Sequence, residues 1–397
     1  MIHLKERIRE LAVGIHPEVV ALRRHFHMNP ELSYQEKETG LYISKKLTEF
    51  GIEHTHGCAE NGVVGLIKGK NPNKKIIALR GDIDALPIIE ENNVEYKSKN
   101  EGVMHACGHD VHTSSLLGTA KILNDLKDQF EGTVKLIFQP AEERLPGGAS
   151  IMIKEGVLEN PKPESIFGQH VHPPLEVGKI GLRPGMYMAS TDELHVTIKG
   201  KGGHGALPHD TVDPVVIMAH MITALQQVIS RKANPTMPTV MTFGKITADG
   251  ATNVIPAEVK MEGTFRTMDE KWRAEAHRQM KSIAKGIAEG MGGEVDFNIV
   301  GGYPALINDE ELTKNAKAWA IEYLGTENVI DLPIRMTAED FAYYSQKMPA
   351  CFYRLGIRND AKGINAPLHT STFNVDEDAL KVSTGLMAWL AIKELGK

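Results

Sequence analysis

Cysteine is scarce in this 397-residue chain: Cys58, Cys107 and Cys351 are all there is. An odd, scattered set of three is not a disulfide framework and favours a reducing, cytoplasmic setting. No apolar run reaches the roughly 18 residues that a transmembrane helix needs. The opening Met1–Arg7 mixes charges with apolar residues and lacks the apolar core and small-residue cleavage site of a secretory signal, so none is expected. Basic charge is not in excess. Lys and Arg total 45 against 51 Asp and Glu, a net charge of −6, which leaves no broad positive footprint for nucleic acid. Internal repeats, low-complexity tracts and long blocks of like charge are also missing. Apolar residues make up 42 % and charged residues 24 %, the make-up of a folded globular chain. At roughly 150 residues per domain the length suits two or three domains. Histidine is plentiful, with 17 residues, and it is the commonest metal ligand and proton carrier.

Periodicity divides the chain. An N-terminal helix carries Leu22 and Phe26 and stops at Asn29-Pro30. A second is predicted over about 34–50, capped by Gly51. Strand-like stretches follow at 63–67 and 76–79, a helix at 113–126 with Leu116, Ala120, Leu123 and Leu126 in one stripe, and a strand at 134–138. A helix at 149–155 and a strand at 165–169 come next. Strands alternating with helices predict an α/β core with a mostly parallel sheet. The middle differs. A strand at 193–199, a helix at 215–229 (Val215, Met218, Ile222, Leu225, Ile229), strands at 239–246 and 258–266, a helix at 272–288 (Trp272, Ala276, Met280, Ile283, Ile287) and a strand at 294–300 make a βαββαβ order. The expected organisation is a discontinuous α/β domain, residues 1–185 and 300–397, carrying a ferredoxin-like insertion at 186–299. An amphipathic helix near 380–393 should close the chain.

Chemistry-bearing residues gather where strands should end. Ile76–Leu79 runs into Arg80-Gly81-Asp82-Ile83-Asp84, and 134–138 into Gln139-Pro140-Ala141-Glu142-Glu143. The strand at 165–169 runs into His170-Val171-His172, while His105-Ala106-Cys107-Gly108-His109-Asp110 precedes a helix and Leu368-His369 lies in a late loop. Ligands of open α/β sheets bind at the carboxyl ends of the strands. Asp, Glu, His and Cys converging there are first-row metal ligands. Taken singly each has a plainer reading: a buried cysteine is a small hydrophobe, a histidine a cap, an acidic pair a solvated face. Their joint placement favours a metal. In extended backbone Glu142 and Glu143 would point opposite ways, so one could ligate while the other handles a proton. A metal lowers the pKa of its water to about 7, and a carboxylate can relay the proton to a leaving nitrogen.

The stretches Arg80–Pro87, Met104–Asp110 and Gln139–Glu143 resemble the two-metal amidohydrolases. The branch is that of hippurate hydrolases, N-acyl-amino-acid amidohydrolases and auxin-conjugate hydrolases, within the wider aminoacylase–carboxypeptidase family. Phe167–His170, Gly200–Ala206, Thr252–Pro256, Glu339–Phe341 and Leu368-His369 extend the similarity nearly end to end. The resemblance implies a zinc-peptidase-like catalytic domain and an inserted lid that also dimerises the chain. It implies two divalent metal ions per chain (Zn, Mn, Co or Ni), with Cys107 bridging, His109 and His170 completing one site, and Glu143 and His369 the other. Glu142 would be general base and acid, and Asp84 would stand behind the ligands. His204 would polarise the scissile carbonyl, and Asn253 and Arg266 would hold the substrate carboxylate. The implied enzyme is a cytoplasmic hydrolase of N-acyl-amino acids, a homodimer with no nucleic-acid or membrane partner. Alternatives are a dipeptidase or carboxypeptidase on the same fold, an amidase with Cys107 as nucleophile, and a non-catalytic metal-binding homologue. Spacing alone leaves His105, His112 and His172 open as ligands. Arg144 stands where many relatives have glycine.

Overall fold

A computed structural model describes residues 2–397, which fall into two compact units. The described residues of the first are 2–185, 307–333 and 340–397, and those of the second 186–306 and 334–339.

The first unit is built on an eight-stranded sheet. Across it run Glu53–Cys58, Gly62–Lys68, Thr133–Gln139, Ile76–Asp82, Ser165–Glu176, Ala350–Arg358, Ile180–Leu182 and Val329–Asp331. The four central strands, from Thr133–Gln139 to Ala350–Arg358, are mutually parallel, and antiparallel pairs flank them. Strands covered on both faces read as continuous apolar runs, and Thr133–Gln139 is buried at every position. The register sets Asp82 beside Gln139 and Arg354 beside His170, so the exits of these strands share one edge.

Helix His109–Asp125 starts at that edge. Its first turn needs Gly108, whose φ is +82° and where a Cβ would sit 2.4 Å from Val171 Cγ2. The predicted 34–50 helix forms only as Lys37–Glu49, because Tyr34 turns left-handed at φ +68°. The closing helix, Ala379–Leu395, is not amphipathic. It is buried nearly all round, packed among helices Ile2–Gly14, His16–Met28, His109–Asp125 and Glu310–Leu324 and strands Ile76–Asp82 and Ala350–Arg358.

The second unit is an antiparallel sheet in the order Thr239–Thr247, Glu258–Thr267, Asp192–Lys199, Glu294–Gly301, the ferredoxin-like arrangement that the βαββαβ pattern predicts. Leu194, Val196 and Ile198 face its core as expected. Helix Pro214–Gln227 buries Ile217, Met221 and Leu225 most deeply, and the other residues of the predicted stripe, Val215, Met218, Ile222 and Ile229, pack partly buried against the same core. His220, Thr223, Gln226 and Gln227 are exposed on its other side. The unit is also longer than 186–299. Strand Glu294–Gly301 pairs out to Gly301. Residues 334–339 join through Arg335, whose N–H donates to the Tyr187 carbonyl and whose own carbonyl accepts from Ala189.

Candidate metal centre

At the shared strand edge the first unit gathers Cys107, His109, Glu142, Glu143, His170 and His369. Cys107, His109 and His170 form one group with donor atoms within 4.8 Å of one another, and Cys107, Glu143 and His369 another. The sulfur of Cys107 lies 3.3 Å from Nε2 of His170 and 3.3 Å from Nε2 of His369. His369 Nε2 is 3.2 Å from Glu143 Oε1, and His109 Nε2 is 4.0 Å from that same oxygen. Bonds of about 2.0–2.3 Å to shared cations permit such separations.

Local backbone explains how each side chain arrives. His369 sits at φ +61°, and its N–H donates to the carbonyl of Ala106, which pins the late loop beside Cys107. Ala141 adopts φ +52°, so the chain leaves strand Thr133–Gln139 in a turn rather than extended. The expectation that Glu142 and Glu143 point opposite ways therefore does not hold: both carboxylates lie with His109 in a third group. Glu142 is 6 % exposed. Buried Glu36 accepts the N–H of Ala141 at 2.7 Å and so supports this turn. Neither it nor Ser33, which donates to Asp84, was legible from spacing.

Asp84 works from behind. Its Oδ1 is 3.1 Å from His109 Nδ1, and its Oδ2 accepts the N–H of Glu143 at 3.0 Å. One buried carboxylate thus orients residues of two ligand groups. His170 Nδ1 donates to the Val171 carbonyl at 2.8 Å, which leaves the Nε2 lone pair toward Cys107. Burial, reinforced by Arg354, keeps His170 neutral. Burial opposes charge on His109, yet Asp82, Asp84 and Glu143 outweigh it and lift its imidazole to about 10. Burial, then Glu143 and Glu142, drives the Cys107 thiol well above its usual range.

The donor set fits divalent cations. His109 Nε2 and Glu143 Oε1 are buried with no hydrogen-bond partner among the described residues, a costly state unless something else satisfies them. A thiol among carboxylates is also the reverse of the electropositive setting that activates a nucleophilic cysteine. His105 joins none of these groups.

In the second unit His204 lies on a short ribbon, paired with Val254, and the N–H of Gly205 donates to the Asn253 carbonyl. Arg266 is half-buried on strand Glu258–Thr267, and its Nη1 donates to the carbonyl of Met336 at 3.0 Å. Asp340, adjacent to Glu339, is engaged in the first unit with buried Arg80 and Gln139.

Fold and ligands together define a metal-dependent hydrolase of amide bonds. Residues 78–393 match the model of peptidase family M20/M25/M40, and the chain belongs to that family. It is 43 % identical to the N-acyl-L-amino acid amidohydrolase of Geobacillus stearothermophilus over 77 % of this chain and 82 % of that one. It is 39 % identical to the N-acetylcysteine deacetylase of Bacillus subtilis over 96 % of this chain and 97 % of the other. The crystal structure of a dinuclear metal-binding M20 peptidase from Bacillus subtilis superposes with a TM-score of 0.83 at 36 % identity, covering 96 % of this chain and 99 % of that one.

Proposed function

We propose that the chain hydrolyses N-acyl-amino acids, acetyl or benzoyl derivatives among them, to an amino acid and a carboxylate, using two divalent cations. The observation that carries this reading is Cys107, whose sulfur belongs to two ligand groups, Cys107-His109-His170 and Cys107-Glu143-His369, with Glu142 alongside. When bound, Zn, Mn, Co or Ni would supply Lewis acidity, polarising a carbonyl and bringing the pKa of water to about 7. Glu142 takes the proton of the attacking water on its carboxylate and hands it to the departing amide nitrogen. Asp84 keeps His109 oriented through Nδ1.

The second unit supplies the substrate-holding groups in this reading. His204 Nδ1 accepts the N–H of Ala206 at 3.0 Å, so the neutral ring carries its proton on Nε2, the form that donates to a carbonyl oxygen. Asn253 and Arg266 hold the substrate carboxylate. Arg266 spends one donor on Met336, and its fork suits a carboxylate. The chain assembles as a homodimer through this unit. Its edge strand Thr239–Thr247 exposes Val240 and Ile246, which supports that role.

The names of the amidohydrolase and deacetylase relatives support the substrate class. A carboxypeptidase of Saccharolobus solfataricus, 38 % identical over 98 % of both chains, keeps peptides as the second reading. The test is a panel of acetyl-, benzoyl- and longer-acyl amino acids against unblocked dipeptides, assayed after reconstitution with each metal. Acyl-amino acids should turn over and a chelator should abolish it. Preference for free dipeptides, or full activity in chelator, overturns the proposal.

A further inference from the structure

His112 is buried one helical turn after His109, and the mechanism above does not use it. Its Nδ1–H donates to Asp82 Oδ1, and Asp82 is paired in turn with buried Arg80. Its Nε2 accepts the backbone N–H of Val171 at 2.9 Å. Asp82, His109 and His112 lie close enough to suggest another cation site. Both ring nitrogens of His112 are already committed, so it has no lone pair to offer one. What it grips is the residue whose carbonyl accepts from His170 Nδ1. The two rings sit 4.8 Å apart, centroid to centroid.

We infer that His112 is a positioning residue for one of the two cation sites: by holding the backbone of Val171 through its N–H, it keeps the carbonyl of the same residue in place and so fixes the orientation and tautomer of the His170 imidazole. The chain of contacts is Arg80, Asp82, His112, the Val171 N–H, the Val171 carbonyl and then His170, all within the first unit. A shift of the Val171 backbone would carry its carbonyl away from Nδ1 and release the ring. His369 and Glu143 receive nothing from this chain, so the effect should be confined to the Cys107-His109-His170 group. The inference rests on the metal-centre reading above.

The test is a zinc titration of the metal-free chain in competition with a chromophoric chelator, comparing wild type, H112N and H112Q. An asparagine amide keeps the donor toward Asp82 but is too short to accept from Val171. A glutamine oxygen reaches about where Nε2 stood. Wild type should take up two equivalents. H112N should hold one at wild-type affinity and the other about 10–100-fold more weakly, the usual effect of losing an outer-shell partner. H112Q should recover the weakened site, which a general packing role for His112 would not predict. Equal weakening of both equivalents, wild-type binding by H112N, or H112Q no better than H112N overturns the inference. If H112N fails to fold, H112F, which keeps the bulk of the ring but offers Val171 no acceptor, takes its place: one weakened equivalent upholds the inference and two wild-type equivalents overturn it. A wild-type chain that takes up no zinc overturns the metal-centre reading itself, and the inference with it.

Discussion

Glu142 and Glu143 are neighbours in the chain with separate tasks in the proposed reaction, and substitution can part them. Glu142→Gln keeps size and hydrogen bonding but removes the proton acceptor. It should retain its metal while kcat falls by about 10²–10⁴. Glu143→Gln removes an anionic ligand and should lose metal from one site. Metal analysis beside steady-state kinetics separates the two, and near-normal turnover by Glu142→Gln would sink the base assignment. Glu36 offers a second test. Burial, aided by Asp84, raises its carboxyl from 4.5 to about 7. The folded chain therefore favours the protonated acid. That contribution is complete below pH 4.5 and is lost as pH rises through 7, a swing of about 3 kcal/mol. Glu36→Gln cannot titrate, so in metal-free protein its stability relative to wild type should improve between pH 4.5 and pH 8. Urea unfolding at the two ends measures this, and a constant difference would refute it.

Helices show where periodicity informs and where it fails. Glu270–Gly290 mixes charged and apolar residues, and two of its predicted stripe residues, Ala276 and Met280, are buried. In Pro214–Gln227 the deepest residues, Ile217 and Met221, lie beside the predicted stripe, whereas Ala379–Leu395 has too few polar residues to mark an outer face and is not the amphipathic helix expected. For the latter this has an energetic consequence. Leu390 is fully buried in a helix enclosed on all sides, so Leu390→Ala should cost about 2–5 kcal/mol. A surface leucine would cost far less. Chemical denaturation reads the difference directly, and a loss under about 1 kcal/mol would contradict the enclosure.

For the assembled protein, the inserted unit presents unpaired strand edges and scattered exposed apolar side chains, Val216, Val240, Ile246 and Val254. An edge strand left bare is a template for pairing. Light scattering on the purified chain should therefore return twice the chain mass, and Val240→Lys with Ile246→Lys should shift it toward monomer while leaving the first unit folded. A wild-type monomer at micromolar concentration would remove the dimer from the proposal.

The α/β class, the βαββαβ insertion and the ligand types were legible in the amino-acid order, because buried parallel strands, alternating strands and strand-exit motifs are local patterns. Cys107, His109, Glu143, His170 and His369 could be named from motifs, but their approach within 4.8 Å in overlapping groups is a property of sheet register. So are the left-handed turn at Ala141 that brings both glutamates to one side, the service of Glu36 and Ser33, and the exclusion of His112 as a ligand. Each depends on which backbone N–H or carboxylate arrives from tens or hundreds of residues away. Local sequence does not encode that; tertiary packing does.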